Sequence, residues 1–140
     1  DAGDRGVTWV SGTITNVTFY SRAISGDGSR MLVSGTNSAD GSSNIRRLYT
    51  STDFGATWTE LTAMGTGNFD RVTLSIDGIK AVTIGAPSGL RFVYVSKDFG
   101  STWTQQSSLG TASWSNVRMS ATGAKIFVTK STEFRAGTYD

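Results

Sequence analysis

The chain of 140 residues contains no cysteine and no histidine. The first absence excludes disulfides, thiolate metal sites and cysteine nucleophiles. The second removes the commonest general base and metal ligand. Glutamate occurs only at Glu60 and Glu133, and proline only at Pro87. No apolar run approaches the roughly 18–20 residues that a membrane span needs. No signal peptide is visible, an observation neutral for secretion because a mature chain has already lost its leader. Thirteen Lys and Arg stand against eleven Asp and Glu, a net charge of +2. Apart from the pair Arg46–Arg47 the basic residues are scattered, so no nucleic-acid footprint is present.

What is abundant is Ser and Thr, 39 residues together, and Gly, 17 residues. That balance suits short strands with hydroxyls on the wet face, joined by tight turns. The order of these residues is repetitive. STDFGATWT at residues 51–59 returns as SKDFGSTWT at 96–104, 45 residues later, and a degraded copy, AGDRGVTWV, opens the chain. A second series runs in step with the first: SGDGSR at 25–30, SIDGIK at 75–80 and SATGAK at 120–125. Segments alternating with period two flank each member, VTFYSRAI before the first and MLVSG after it. This is a hairpin signal, read as a Gly-containing two-residue turn. A variable loop, a third apolar segment (RRLYT, RFVYVS), the Asp-Phe-Gly turn and a fourth segment opening on Trp complete each repeat.

Four antiparallel strands per repeat of about 45 residues describe a β-propeller blade, so the fold class is all-β. Residues 16–62 make one blade and 68–106 a second. Residues 1–15 supply a fourth strand without its first three, and 114–140 supply two clear strands and a weak third. The single unit 1–140 thus holds about three blades in circularly permuted strand order. Propellers typically close with 4–8 blades. The expectation is that copies associate head to tail, one copy's residues 1–15 completing another's last blade by strand addition. The contact gives a closed ring or an open filament. The alternative is that the 140 residues are one unit of a longer polypeptide.

In the turn, Asp53 and Asp98 can accept backbone N–H bonds, Gly55 and Gly100 can take positive φ, and Trp58 and Trp103 can bury a ring between neighbouring sheets. The pattern S-x-D-x-G-x-T-W resembles the Asp-box of sialidase-like propellers, with Asp4, Gly6 and Trp9 as the worn copy. The resemblance implies a structural role for the box, on the blade periphery and away from any central site. A calcium site is disfavoured, because each box holds one carboxylate whereas calcium usually takes 6–8 oxygen ligands. No metal and no cofactor is expected. A third reading, a luminal assembly factor resembling the photosystem II stability factor, shares the Asp-box propeller, although that family's longer, closed ring is not evident in this sequence.

An enzyme of the sialidase kind needs an arginine cluster, a tyrosine nucleophile with a glutamate, and an aspartate acid. Arg22, Arg71 and Arg118 lie on or near the first strands of successive blades, the strands that line a propeller's channel. They read either as solvated side chains or as a cationic channel mouth for an acidic glycan or a partner loop. The paired carboxyls of an ordinary glycosidase are missing from the pattern; Asp70 alone falls near the channel. Phe19, Tyr20, Tyr49, Phe92, Tyr94 and Trp114 fall at strand positions, where they serve as inter-blade core or offer faces to sugars. Asn16-Val17-Thr18 is an N-glycosylation sequon. The expected function is a non-catalytic, extracellular or secreted structural or recognition module. Its partners would be other copies of itself and glycans, without nucleic acid or a membrane span. The alternative is a fragment of a sialidase-like or other Asp-box glycoside hydrolase.

Overall fold

The computed structural model describes residues 12, 14–39, 41 and 45–139. They form three antiparallel sheets in chain order. The first blade is β1 (Val17–Ile24), β2 (Met31–Asn37), β3 (Arg46–Ser51) and β4 (Thr59–Leu61). The second is β5 (Phe69–Leu74), β6 (Ala81–Gly85), β7 (Phe92–Ser96) and β8 (Thr104–Gln105). The third has β9 (Asn116–Met119), β10 (Lys125–Lys130) and β11 (Glu133–Thr138). One 3-10 turn, Ser107–Leu109, precedes the third blade. Among the described residues no helix is long and apolar enough to cross a membrane. The strand β11, expected to be weak, pairs with β10 along its whole length, from Lys130↔Glu133 to Lys125↔Thr138. Residues Asp1–Ser11, which include the degraded box, lie outside the described residues.

The first turn of each blade is longer than the two residues expected. Its closing pair is Ser25 with Arg30, whose backbone N–H and C=O meet at 2.9 Å. Ser25 Oγ donates to Asp27 Oδ1 (2.6 Å) and accepts the Arg30 N–H (3.0 Å), while Asp27 Oδ1 accepts the Ser29 N–H. Gly28, at φ 78°, occupies the left-handed position. Ser75, Asp77 and Gly78 repeat the arrangement in the second blade. In the third, Ser120 Oγ still accepts the Lys125 N–H. Side-chain acceptors of this kind let four residues turn as sharply as a tight hairpin. The turns are also tied to one another: Gly26 N–H donates to Ile76 O, and Ile76 N–H to Ala121 O, both at 2.6 Å.

Alternation along the strands gives each blade a leading face toward its predecessor and a trailing face toward its successor. On the second blade Phe69, Val72, Leu74 and Ala81 lead, and they pack on Leu32 and Leu48 of the first. Trp114, Val117 and Val128 lead on the third, against Val82, Ile84, Val93 and Val95 of the second. All of these are buried, and each such aliphatic side chain contributes about 1.5–3 kcal/mol. A cross-blade hydrogen bond fixes the approach of the first strands, the Val72 N–H donating to Ser21 Oγ at 3.1 Å. Pairing between β1 and β2 slips between Phe19 and Ser21, and between β5 and β6 between Phe69 and Arg71. Tyr20 and Asp70 are therefore bulge residues, a device that re-aims a side chain at a sheet's rim.

Candidate functional site

The two complete Asp-boxes are superimposable in their bonding, and their buried centre is the serine rather than the aspartate. Ser51 Oγ accepts the Gly55 N–H (2.9 Å) and donates to Asp53 Oδ1 (2.8 Å). Asp53 Oδ1 also accepts the Thr57 N–H (2.9 Å), and Oδ2 the Thr57 hydroxyl (2.6 Å). Trp58 Nε1 closes on Gly55 O at 2.9 Å. Ser96, Asp98, Gly100, Thr102 and Trp103 repeat every one of these contacts. Phe54 and Phe99 take φ of 59° and 55°, unusual for a side chain without its own turn-forming group, and the following glycines 85° and 88°. The box is locked onto its own hairpin turn through Phe54 N–H to Ser29 O and Phe99 N–H to Ile79 O.

This bonding determines the carboxyl chemistry. The Thr57 hydroxyl, the Thr57 N–H and the Ser51 hydroxyl hold Asp53 down at about 2. The Thr102 hydroxyl leads the same downward shift at Asp98. Both oxygens of each carboxylate are occupied by hydrogen bonds inside the turn. Trp103 packs on the cluster between the first two blades, as expected of a ring between sheets. Trp58 is half-buried, beside exposed Phe19 at 6.4 Å. Asp4, Gly6 and Trp9 fall outside the described residues.

The arginines Arg22, Arg71 and Arg118 do lie on the three first strands, and all are exposed. They pair with Val33, Ile84 and Phe127, which are the third, fourth and second pairs from their respective turns. Alternation therefore puts Arg22 on a leading face and the other two on trailing faces. Each lines a different cavity.

A different set converges. At the rim where the first strands bulge, a cleft of about 350 Å³ is lined by Tyr20, Arg46, Asp70, Arg71, Arg91 and Ser115. Tyr20, Asp70 and Ser115 occupy the same position in the three blades, each one residue ahead of the fourth pair. Arg46 and Arg91 stand five residues before the box serines Ser51 and Ser96. Asp70 is 8% exposed, and its two oxygens are ion-paired separately, Oδ1 with Arg46 Nη1 and Oδ2 with Arg91 Nη1. The Arg46 guanidinium lies 4.3 Å over the Tyr20 ring, and its Nε is buried without an acceptor among the described residues. Arg91 Nη1 also donates to Trp114 O (3.1 Å), and Arg71 Nη1 to the Asp70 carbonyl (3.0 Å).

Three guanidiniums and one carboxylate line the cleft, which leaves two positive charges in a partly enclosed space. Both oxygens of the Asp70 carboxylate are engaged by arginines, and the spare guanidinium donors suit an oxyanion. Of the aromatic candidates, Tyr49, Tyr94 and Trp114 are buried, Trp114 just ahead of β9; Phe92 is half-buried; only Phe19 and Tyr20 are exposed. Asn16, the sequon residue, is exposed at φ 63°, its carbonyl accepting the Ser38 N–H. Among the described residues no three His, Cys, Asp or Glu side chains cluster to hold a metal ion.

The model of the BNR-Asp box repeat matches residues 48–61 and 93–106, and the chain carries these two Asp-box repeats. No curated protein matches it. Among solved structures it is similar to the GH74 enzyme of Niastella koreensis, at 25% identity and TM-score 0.52, over 78% of this chain and 14% of that one. TolB from Acinetobacter baumannii matches at 16% identity and TM-score 0.63, over 88% of this chain and 30% of that one. YCF48 bound to D1 peptide matches at 16% and 0.49, over 94% and 42%. The chain thus spans less than half the length of each of these structures. The fold is a β-propeller one, and the described residues form three blades, the third with three strands.

Proposed function

We propose that the chain is a non-catalytic extracellular recognition module that takes an acidic group, carboxylate or sulfate, in the Tyr20–Arg46–Asp70–Arg71–Arg91–Ser115 cleft. The observation that carries this is the convergence of three arginines from two blades on one cleft in which Asp70, paired with Arg46 and Arg91, is the single carboxylate. A ligand oxyanion would meet the spare donors, and the Tyr20 ring would offer a face to a sugar or peptide. Calorimetric titration with a uronic-acid oligosaccharide against its neutral counterpart tests it. Binding of the acidic oligosaccharide alone is expected, weakened about tenfold or more by Arg91→Gln, given roughly 1.5–3 kcal/mol for a charge-assisted hydrogen bond. Equal affinity for both sugars would remove the idea.

A second reading concerns assembly. Among the described residues the third sheet has the order β11-β10-β9, with no strand beyond β11 where the first two blades carry β4 and β8 after their boxes. The sequence Asp4–Trp9 is the complementary box. Strand addition by residues 1–15 of another copy would complete the blade and join copies head to tail. Under conditions where the intact chain assembles, deleting residues 1–10 should then lower the mass seen by light scattering to that of a single chain. An unchanged mass would exclude that route. The likeness to a GH74 enzyme supports the remaining alternative, a glycoside hydrolase fragment, for which release of reducing ends from polysaccharides is the assay.

A further inference from the structure

The two blade contacts within the chain are built on one plan, and both end faces continue it. On the leading face, Phe69, Val72, Leu74 and Ala81 of the second blade correspond to Phe19, Arg22, Ile24 and Met31 of the first. Phe69 is 1% exposed and Leu74 9%, whereas Phe19 is 39% and Ile24 56% exposed. On the trailing face, Val82 and Val93 of the second blade correspond to Phe127 and Phe134 of the third. The valines are fully buried, and the two phenylalanines, stacked with centroids 5.5 Å apart, are exposed. A hollow fronts each open face, about 400 Å³ at Phe19, Met31 and Trp58 and about 490 Å³ at Phe127 and Ala136. The pattern that seats the second blade on the first and the third on the second is present again at both ends.

One pair of positions departs from the plan. Arg22 stands where the other two blades have Val72 and Val117, both buried in their contacts. Arg118 stands where the others have Ala23 and Thr73. Inside the chain these positions adjoin: Ser21 Oγ, two residues from Ala23, accepts the Val72 N–H. The counterpart of Ser21 in the third blade is Asn116, whose Oδ1 receives Arg118 Nη1 at 3.1 Å. A copy seated on the third blade would therefore bring its Arg22 into the same closed seam as Arg118. Two guanidiniums without an acid between them repel there, in a space that water leaves. An oxyanion between them would satisfy both forks and turn the repulsion into a bridge.

We propose that the trailing face of the third blade docks the leading face of the first blade of a second copy, and that an oxyanion bridging Arg118 to the incoming Arg22 gates the contact. The proposal rests on the head-to-tail reading and adds the condition under which it occurs. Both arginines are exposed, so their substitution leaves the fold intact. Mass is measured by light scattering against concentration, in sodium sulfate and in sodium chloride at equal ionic strength. The intact chain should be a single copy in chloride and at least double its mass in sulfate. Arg22→Glu and Arg118→Glu should each assemble in chloride without sulfate, because each supplies the acid itself. The double variant R22E/R118E should remain a single copy in both salts. Assembly of the intact chain to the same extent in both salts, or of Arg22→Val with an undiminished response to sulfate, overturns the gate and leaves head-to-tail docking standing. Single copies for every variant in every salt overturn the docking and the reading beneath it.

Discussion

Replacing Ser96 by alanine separates two accounts of the Asp-box. The aspartate is the residue that names the motif, yet Asp98 is exposed, and water can serve the groups it leaves behind. Ser96 is 1% exposed, and its hydroxyl is the acceptor for the buried Gly100 N–H at 2.8 Å, where the chain turns at φ 88°. Ser96→Ala leaves that buried donor without its acceptor and also removes the hydroxyl that donates to Asp98 Oδ1 at 2.7 Å. A buried donor without its acceptor costs about 1–3 kcal/mol, and the lost Oγ adds little because the Asp98 carboxylate keeps the Thr102 hydroxyl and N–H. We expect about 2 kcal/mol, which for a domain of this length lowers Tm by about 8 °C. Urea unfolding followed by tryptophan fluorescence measures it, with Ser101→Ala, an exposed hydroxyl on the same turn, as the reference near zero. If Ser96→Ala were as stable as Ser101→Ala, the serine-centred account of the turn would be wrong.

Acid sensitivity follows from the depressed carboxyls of Asp27 and Asp53, both held at about 2 instead of 3.8. Since the folded value is the lower one, their contribution is present above about pH 4 and is lost as pH falls from there toward 2. Thr57→Val removes the leading cause at Asp53, and an NMR titration should find its carboxyl moved upward; an unmoved value would show that the hydroxyl is not the cause. Trp114→Ala should cost about 3–5 kcal/mol, and hydrogen exchange should rise in β9–β11 while β1–β4 stay protected; uniform loss of protection would contradict blade-by-blade packing. At Gly85 an added Cβ would run into the ring of buried Phe69, so Gly85→Ala should destabilise by about 1–3 kcal/mol in the same urea assay, and a neutral result would mean that the bulge has slack.

Much of the architecture is legible without coordinates because the signals are local. Ser51, Asp53, Gly55 and Thr57 bond to partners two to four residues away, so their spacing alone specifies the turn. Ser25, Asp27 and Gly28 are likewise bonded within five residues. These contacts recur wherever the string recurs, and they punctuate strands whose period-two alternation is equally local. Even the mismatch among Arg22, Arg71 and Arg118 was written in the chain, since they precede their turn serines by three, four and two residues. The common offset of Arg46 and Arg91 from the box serines was a signal of the same kind.

The cleft is another matter. Asp70 meets Arg46 across 24 residues, and nothing near either position marks the pair. What joins them is a bulge that adds one residue to β5 and turns the Asp70 side chain toward the rim, together with the stacking that brings the second blade beside the first. A bulge is a difference in register between two strands, and stacking is a fit between two finished sheets. Short-range spacing therefore determined the repeat, its turns and the blade, because each is held by bonds within a few residues. Only the tertiary structure decided which arginines face one another and which face solvent, because those positions depend on pairing and packing between segments that the chain keeps far apart.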